Sequence, residues 1–217
     1  MMECIEDGIY KRDDKFYTLN LVPGEDVYGE ELIEDEGFEY REWDPNRSKL
    51  CAFLEKERSL PVKPEMNILY LGAGDGTTVS HLSDIVTEGK IFAIEVARNP
   101  FRNLLSLSED RKNIFPVMAD ARDPSSYDDI VTDVDLIYQD ISQRDQAEIF
   151  MKNLSFLRKG SFGMLAVKAR SANVSKPPEI VYREVEKKLK TEGHDVILNV
   201  DISNRQKDHA VLVIEKK

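Results

Sequence analysis

The chain has 217 residues, 41% of them hydrophobic, which suits one domain with a real core and at most a small appendage. It contains no run of about 18 apolar residues, and its charged N-terminus lacks the apolar segment of a signal peptide, so we expect neither a membrane span nor secretion. The net charge of −11 excludes a global electrostatic attraction for nucleic acid, and any RNA affinity must come from a local basic patch or a partner.

The two cysteines, Cys4 and Cys51, form neither a disulfide framework nor a metal-ligand pattern. We therefore expect no metal site. An intracellular, reduced protein is the natural interpretation of so low a cysteine content.

Residues 1–42 are predicted to form a small N-terminal antiparallel β-domain. Its β-prone segments, at residues 8–10, 16–19 and 27–29, are separated by charged clusters and by Pro23-Gly24. We assign residues 43–217 to a second, larger domain.

The larger domain is predicted to begin with a helix over residues 43–57. Asp44 offers an N-cap and Pro45 a first helical position. Leu50, Phe53 and Leu54 share one helical face. Pro61 and Pro64 follow, and they end this helix before the first strand of the domain.

From residue 67 onward, apolar strands alternate with helices, which predicts a parallel sheet covered on both faces. The predicted strands are residues 67–71, 90–96, 113–118, 134–138, 162–167, 194–202 and 209–215. The predicted helices are residues 77–86, 98–108, 144–157 and 179–191, with at best a short helix at 127–131.

The last two predicted strands are joined by only the six residues 203–208. A parallel crossover needs a dozen residues or more, so these strands must pair antiparallel or not at all. A mostly parallel sheet whose last strand is antiparallel is typical of Rossmann-like methyltransferases, whereas a dinucleotide-binding dehydrogenase would not need the reversed strand.

A glycine-rich segment, Gly72-Ala73-Gly74-Asp75-Gly76-Thr77-Thr78, lies between the first of these strands and the following helix. Its glycines allow a tight turn and a close approach of a ligand to the backbone at Gly72 and Ala73. The helix N-terminus offers N–H groups to an anion. That anion is a pyrophosphate in a dehydrogenase and the methionine carboxylate of S-adenosylmethionine in a methyltransferase. A purely structural turn remains the alternative.

Two acidic residues make a nucleotide-type cofactor the better interpretation. Glu95 ends the second strand, about 20 residues after the loop, where a carboxylate binds ribose hydroxyls. Asp120 ends the third strand on the same edge of the sheet, where it is placed to bind the exocyclic amine of adenine. Together with the closing hairpin, these residues favour S-adenosylmethionine, although each acid alone is also compatible with a solvated strand end.

The fourth and fifth strands end in candidate catalytic groups. Asp140 follows the fourth strand and Lys168 ends the fifth, so that a carboxylate and an ammonium are expected to be neighbours. A lysine in an apolar strand is seldom there for packing. Lys49 and His209 are weaker candidates on composition alone, since a surface helix lysine and a lone strand histidine are commonly structural. Either Asp140 or Lys168 is a possible base for a hydroxyl substrate.

Six further segments carry a family resemblance. They are TLNLVPGE at 18–25, VYGE at 27–30, YREWDPNRSKL at 40–50, YQDISQ at 138–143, AVKARS at 166–171 and KDHA at 207–210. With the glycine loop, they are distributed over nearly the whole chain. In these segments the chain resembles fibrillarin, the RNA ribose 2′-O-methyltransferase of box C/D ribonucleoproteins.

The resemblance implies a set of site residues. It raises Lys49 into a catalytic set with Asp140 and Lys168, and it adds His209 in a less certain role. It implies cofactor contacts at Thr77, Thr78, Glu95, Val96, Asp120, Ala121, Asp140, Ile141, Ser142 and Gln143.

The chain departs from the family pattern at two places. The family usually reads Gly-Ala-Ala-Ser-Gly-Thr-Thr in the loop, and here Gly74-Asp75 adds a negative charge beside the expected cofactor carboxylate. Arg144 stands before Asp145, where the family often has proline. No Gly/Arg-rich segment is present, so the chain is similar to archaeal, cytoplasmic members.

The resemblance also implies partners. A box C/D guide RNA would select nucleotides in rRNA or tRNA, while a Nop-domain scaffold and a kink-turn-binding ribosomal-type protein would hold the enzyme on that RNA. A net charge of −11 fits an enzyme with little RNA affinity of its own. Two rival hypotheses are a stand-alone methyltransferase acting on a small molecule or protein, and a non-enzymatic scaffold that has kept the fold.

Overall fold

The computed structural model describes all of residues 1–217, and its first 43 residues contain a five-stranded antiparallel sheet. Two-residue loops with positive φ angles connect β1 to β2, β2 to β3 and β4 to β5, as tight hairpins require. The strand order is β1-β2-β3-β5-β4. The strands are β1 (Glu3–Glu6), β2 (Ile9–Arg12), β3 (Lys15–Leu19), β4 (Leu32–Asp35) and β5 (Phe38–Trp43).

The predicted strand at residues 27–29 is wrong. The backbone N–H groups of Val27 and Tyr28 donate to the Glu30 carboxylate, at 3.0 and 2.8 Å, so this segment turns back on itself instead of pairing with a strand. The side chain of Tyr28 then reaches the ring of His81 in the larger domain.

The predicted start of the first helix is also wrong. Helix α1 (Lys49–Glu57) begins four residues after Pro45, the predicted first helical position, with the Ser48 hydroxyl as its N-cap. Asp44 instead accepts the Asn46 N–H at 2.8 Å in a separate turn directly after β5. This later start places Lys49 at the first position of the helix, next to the larger sheet.

The larger sheet has seven strands in the order β11-β12-β10-β9-β6-β7-β8. Strands β8, β7, β6, β9 and β10 are parallel, and β12 runs antiparallel to both of its neighbours, β10 and β11. The strands are β6 (Asn67–Leu71), β7 (Lys90–Glu95), β8 (Ile114–Met118), β9 (Val134–Gln139), β10 (Leu157–Lys168), β11 (Asp195–Asp201) and β12 (His209–Glu215). The predicted methyltransferase-type sheet and its closing hairpin are confirmed, with the reversed strand inside the sheet.

Helices cover the faces of this sheet. The helices are α2 (Thr77–Ile85), α3 (Arg98–Asp110), α4 (Gln146–Asn153), α5 (Ala169–Ala172) and α6 (Pro178–Thr191), and 3₁₀ turns lie at Pro124–Ser126 and Leu154–Phe156. Residues 127–131, where a short helix was expected, form a turn held by the buried Tyr127 hydroxyl, which donates to Asn153. None of these helices is both long and apolar enough to cross a membrane.

Each face of the larger sheet has its own apolar core, because alternate residues of β6 point to opposite sides. Ile68 and Tyr70 pack in the core that also contains Trp43 and Leu50. Leu69 lies in the other core, with the side chains of α4 and α6. The N-terminal sheet and α1 thus share one core with the larger sheet, and this packing carries Lys49 towards the strand ends.

A buried ionic cluster also joins the two sheets. The Asp84 carboxylate, on α2, accepts from the Arg41 guanidinium at 2.8 Å and from the Thr18 hydroxyl at 2.7 Å, both in the N-terminal sheet. Arg111, just after α3, binds its other oxygen. The side chains of Asp84 and Arg41 are 0% exposed and that of Arg111 is 2% exposed, so each charge relies on its partners instead of water.

His81 lies beside this cluster as a neutral ring. The Thr18 hydroxyl gives its single proton to Asp84, so it must accept from His81 Nδ1, which lies 2.8 Å away. Nε2 is then the acceptor for the Tyr28 hydroxyl at 2.6 Å. Burial lowers the pKa of His81 well below 6.5, and the charges of Arg41 and Arg111 lower it further.

The substitution Asp84→Asn is expected to lower the free energy of unfolding by about 3–5 kcal/mol, because the two buried guanidinium groups of Arg41 and Arg111 then have only one carboxylate near them, that of Glu30, which pairs with Arg41. Urea denaturation measures this loss. The exposed Asp128→Asn serves as the matched control, with an expected change within about 0.5 kcal/mol. A loss below about 1 kcal/mol for Asp84→Asn would contradict the role given to the cluster.

The urea midpoint is expected to fall as the pH is lowered from 7.5 to 5.5. His81 binds a proton in the unfolded chain near pH 6.5 but resists it in the folded protein, so its stabilising contribution is present above about 6.5 and lost below. In His81→Gln this part of the pH dependence should disappear. An equal pH dependence in the variant and the parent protein would show that His81 is not its source.

Candidate active site

A cavity of about 330 Å³ opens at the carboxyl ends of β6, β7, β8, β9 and β10. This edge is where open α/β sheets bind their ligands. Most of the cofactor-site residues expected from the sequence line the cavity. They are Gly72, Glu95, Val96, Asp120, Ala121, Asp140, Ile141, Ser142 and Gln143.

Gly72 makes the turn that leaves β6. Its φ angle is +82°, and a Cβ atom there would lie 2.7 Å from the Ile141 side chain and 3.0 Å from the Asp140 carbonyl oxygen. A larger residue would therefore disturb the loop that begins at Asp140. The two loops can lie side by side only because this position is glycine.

The Glu95 carboxylate braces the glycine loop. One oxygen accepts the Gly74 N–H at 2.8 Å and the other accepts the Ala97 N–H at 2.7 Å. Since each oxygen has a second lone pair, the carboxylate can still accept hydrogen bonds from hydroxyl groups of a ligand in the cavity. The hydrogen bonds from the Gly74 and Ala97 N–H groups hold the carboxylate in one orientation towards such a ligand.

Asp120 lies in the neighbouring wall of the cavity. It is more exposed than Glu95, and one of its oxygens accepts the N–H of Arg122 at 2.9 Å. The other oxygen lies 3.6 Å from the Arg122 guanidinium. The Ala119 and Ala121 side chains beside it also line the cavity and make this end partly apolar.

Three of the predicted cofactor residues do not line the cavity: Ala73, Thr77 and Thr78. Thr78 is buried, and its hydroxyl lies 3.0 Å from the Ser48 hydroxyl, which caps α1. This contact joins the start of α2 to the helix that carries Lys49. A direct cofactor contact of these three residues stays a prediction.

Asp140 lies on the rim of the cavity between two lysines. Lys49 Nζ is 3.0 Å from one carboxylate oxygen and Lys168 Nζ is 2.8 Å from the other. Lys168 also donates to the Asp140 carbonyl at 3.0 Å and to the Ser142 hydroxyl at 2.9 Å. The structure thus brings together three of the four catalytic candidates, although Lys49 is 91 residues away from Asp140 along the chain.

Burial lowers the pKa of Lys168, Asp140 partly offsets this by favouring the charged form, and the like charge of Lys49 lowers the pKa further. The three side chains are between 13% and 17% exposed, so solvent screens their interactions less than those of surface pairs. The cluster is therefore a compact charged site at the mouth of a partly apolar cavity.

His209 is the fourth candidate, and it lies across from Lys168 in the β10–β12 pairing. Its Nδ1 is 2.6 Å from the Lys207 carbonyl oxygen, so Nδ1 carries the proton and Nε2 is free to accept one. Burial lowers the pKa of His209, while its bond to Lys207 opposes this. A neutral ring is thus placed beside the lysine, but no bond from it to Asp140 is formed.

Arg122 belongs to the cavity wall although the sequence did not single it out. Its guanidinium donates to Asp145 at 2.9 and 3.0 Å and to the Gln143 side chain at 2.7 Å. It therefore clamps the loop after β9 against the loop after β8. The only sequence signal for it was a cation two residues after the strand-end acid Asp120.

A model of the fibrillarin family matches residues 4–217. The chain belongs to the fibrillarin family. A curated relative, the fibrillarin-like rRNA/tRNA 2′-O-methyltransferase of Pyrococcus abyssi, is 48% identical over 206 residues, which are 94% of this chain and 90% of the relative.

Solved fibrillarin structures have the same fold. The Methanococcus jannaschii fibrillarin pre-rRNA processing protein superposes with a TM-score of 0.94 at 41% identity, over 100% of this chain and 98% of that one. Aeropyrum pernix fibrillarin with natively bound S-adenosyl-L-methionine has a TM-score of 0.86 at 42% identity, over 95% and 92%. A fibrillarin/Nop5p complex matches with a TM-score of 0.89 at 38% identity, over 97% and 98%.

Gly74 and Asp75, the two loop residues that differ from the usual fibrillarin sequence, do not obstruct the cavity. Asp75 is exposed, and its carboxylate accepts from the Asn103 side chain at 2.9 Å on the far side of the loop. It is not part of the cavity wall, whereas Gly74 is. The extra negative charge therefore points away from the place where a cofactor carboxylate is expected.

The substitution Arg122→Met is expected to weaken binding of S-adenosylmethionine about tenfold, because the Gln143 and Asp145 loop loses its clamp and must be ordered when the cofactor binds. Isothermal calorimetry on the purified chain measures the affinity. Arg158→Met removes a comparable exposed ion pair with Asp135 away from the cavity and is the control. Equal affinities in the two variants would contradict the clamp.

Proposed function

We propose that this chain transfers a methyl group from S-adenosylmethionine to ribose 2′-hydroxyl groups of rRNA and tRNA, at nucleotides selected by a box C/D guide RNA. The observation that carries the proposal is the Asp140 carboxylate held between Lys49 and Lys168 on the rim of the cavity. The names of the curated relatives and the cofactor in the Aeropyrum structure support it.

The cavity suits S-adenosylmethionine. The Glu95 carboxylate has lone pairs left for the ribose hydroxyls, and the side chains of Ile94 and Ile141 offer apolar walls for the adenine ring. Asp120 is the acceptor for its exocyclic amine, and Gly72 and Gly74 line the cavity without side chains, so a ligand can approach the backbone there. The bound cofactor would supply an electrophilic methyl group on a sulfonium.

The residues on the rim act on the hydroxyl that receives the methyl group. As the new oxygen–carbon bond forms, the hydroxyl proton must leave and the oxygen gains negative charge. An ammonium about 4 Å from that oxygen, at an effective dielectric of about 20, contributes roughly 4 kcal/mol, or about three decades in rate if it acts only in the transition state. Lys49 and Lys168 are placed to give this stabilisation.

Two groups on the rim are able to take the proton. A carboxylate is a weak base for a ribose hydroxyl, so Asp140 acts chiefly by positioning the hydroxyl and the two lysines. Burial lowers the pKa of Lys168 and makes its neutral form more accessible as a base. Positioning and electrostatics therefore carry more of the catalysis than base strength does.

We further propose that the chain works within a cytoplasmic ribonucleoprotein. A Nop-domain scaffold and a kink-turn-binding protein would hold it on the guide RNA. Residues 1–42 would form an N-terminal β-domain that packs on the larger domain through a shared core. The fibrillarin/Nop5p complex supports the scaffold. The net charge of −11 supports recruitment by partners, since an acidic chain attracts RNA poorly.

Methylation of a target RNA is expected only when guide RNA and scaffold proteins are present with this chain. Incorporation of labelled methyl groups, followed by mapping of the modified nucleotide, measures this. Efficient methylation of unguided RNA by the chain alone would favour a stand-alone enzyme, and no cofactor binding by calorimetry would favour a non-enzymatic scaffold.

The substitution Lys168→Ala is expected to lower the single-turnover methylation rate by about two to three decades, because the transition state loses one cation. The affinity for S-adenosylmethionine should stay within threefold of the parent protein. Lys159→Ala, at an exposed position of the same strand, is the matched control. A Lys168→Ala rate within threefold of the parent protein would remove Lys168 from the mechanism.

A further inference from the structure

The backbone at Lys168 extends beyond one of its neighbouring strands. On one side, β10 pairs with β12 as far as Lys168, opposite His209. On the other side, its last paired residue with β9 is Leu165, opposite Gln139. The final residue of β10, which carries the lysine ammonium, therefore has no strand beside it on the β9 side.

The side chain of Gln146 takes the place of that missing strand. Its Oε1 accepts the Lys168 N–H at 3.0 Å, and its Nε2 donates to the Lys168 carbonyl at 3.2 Å. One carboxamide thus satisfies both backbone groups of a single residue, as a neighbouring strand would. Gln146 is 1% exposed, so neither bond competes with bulk water.

Gln146 is also tied to the strand end that carries Asp140. Its backbone carbonyl accepts the Gln139 side-chain amide at 2.7 Å, and Gln139 directly precedes Asp140. Both partners of the Lys168–Asp140 ion pair are therefore held through one residue, the first of helix α4.

We propose that Gln146 is a positioning residue for methyl transfer, which sets where the Lys168 ammonium lies relative to Asp140. The inference rests on the proposed function. Gln146 does not line the cavity, so its effect must pass through Lys168. Displacing a catalytic group by about 1 Å can cost about 100-fold in rate, and a loose strand end at Lys168 permits such displacements.

Only a side chain with one donor and one acceptor fits this position. A glutamate would place a carboxylate oxygen against the Lys168 carbonyl, and two acceptors repel each other unless a proton lies between them. A methionine has the same length but offers neither bond, so the Lys168 N–H and carbonyl would be left unpaired in a buried place.

The test uses the complete particle, assembled with guide RNA and scaffold proteins, and compares Gln146→Met and Gln146→Glu with the parent protein. We expect kcat to fall about 10–100-fold in both variants, with KM for the RNA and cofactor affinity within threefold. For Gln146→Glu the deficit relative to the parent protein should shrink as the pH is lowered, because a protonated carboxyl again offers a donor.

Asn113→Asp is the matched control. The Asn113 side-chain amide donates to the Ser83 and Val86 carbonyls, far from the cavity. The substitution should therefore lower the stability of the protein but leave kcat unchanged. A parent particle without activity would contradict the proposed function itself. With an active parent, a folded Gln146→Met variant whose kcat is within threefold of the parent would overturn the role of Gln146.

A merely structural role would give a different pattern. In that case kcat, cofactor affinity and the unfolding midpoint would decline together in Gln146→Met, and the inference would be contradicted. A deficit of Gln146→Glu that does not change with pH would contradict the need for a donor towards the Lys168 carbonyl. If Gln146→Glu does not fold, Gln146→Met alone decides the question.

Discussion

The Asp84 carboxylate, buried between two guanidinium groups, fixes the geometry on which the rest of the molecule depends. Arg41 comes from the N-terminal sheet, Asp84 from α2 and Arg111 from the end of α3. Since α2 begins at the glycine loop and the N-terminal sheet leads directly into α1, this cluster sets the position of the loop relative to Lys49. Removing the Asp84 charge would leave two buried cations with the single carboxylate of Glu30, so the packing of the two sheets relies on Asp84.

At the rim of the cavity, too, one carboxylate lies between two cationic side chains. Asp140 is shared by two lysines that reach it from opposite sides, one from α1 and one from the end of β10. A carboxylate between the two lysines holds their side-chain nitrogens close together and directs them at one point. When a hydroxyl is brought to that point, the site already has the charge distribution that a developing oxyanion needs, and no large rearrangement is required.

The sequence predicted what depends on local pattern. The alternation of strands and helices, the closing hairpin and the acids at the strand ends follow from periodicity and spacing, and Glu95, Asp120, Asp140 and Lys168 lie where these predict. Pattern and spacing could not predict contacts between distant segments. On composition alone Lys49 is a surface helix lysine, and the family resemblance was what placed it in the catalytic set. Its position in the site depends on the buried cluster and on the late start of α1 after Ser48. Arg122 and Gln146 were not predicted for the same reason. Arg122 contacts Gln143 and Asp145, and Gln146 contacts Lys168, and in each case the partner is about 20 residues away in the sequence.

A structure of the assembled particle, with guide RNA, target RNA and a non-reactive cofactor analogue, tests the account most directly. The account predicts that the 2′-oxygen of the selected ribose lies within about 3.5 Å of the position of the transferred methyl group and within hydrogen-bonding distance of Asp140 or Lys168. A target ribose placed at the cofactor but out of contact with both Asp140 and Lys168 would contradict it.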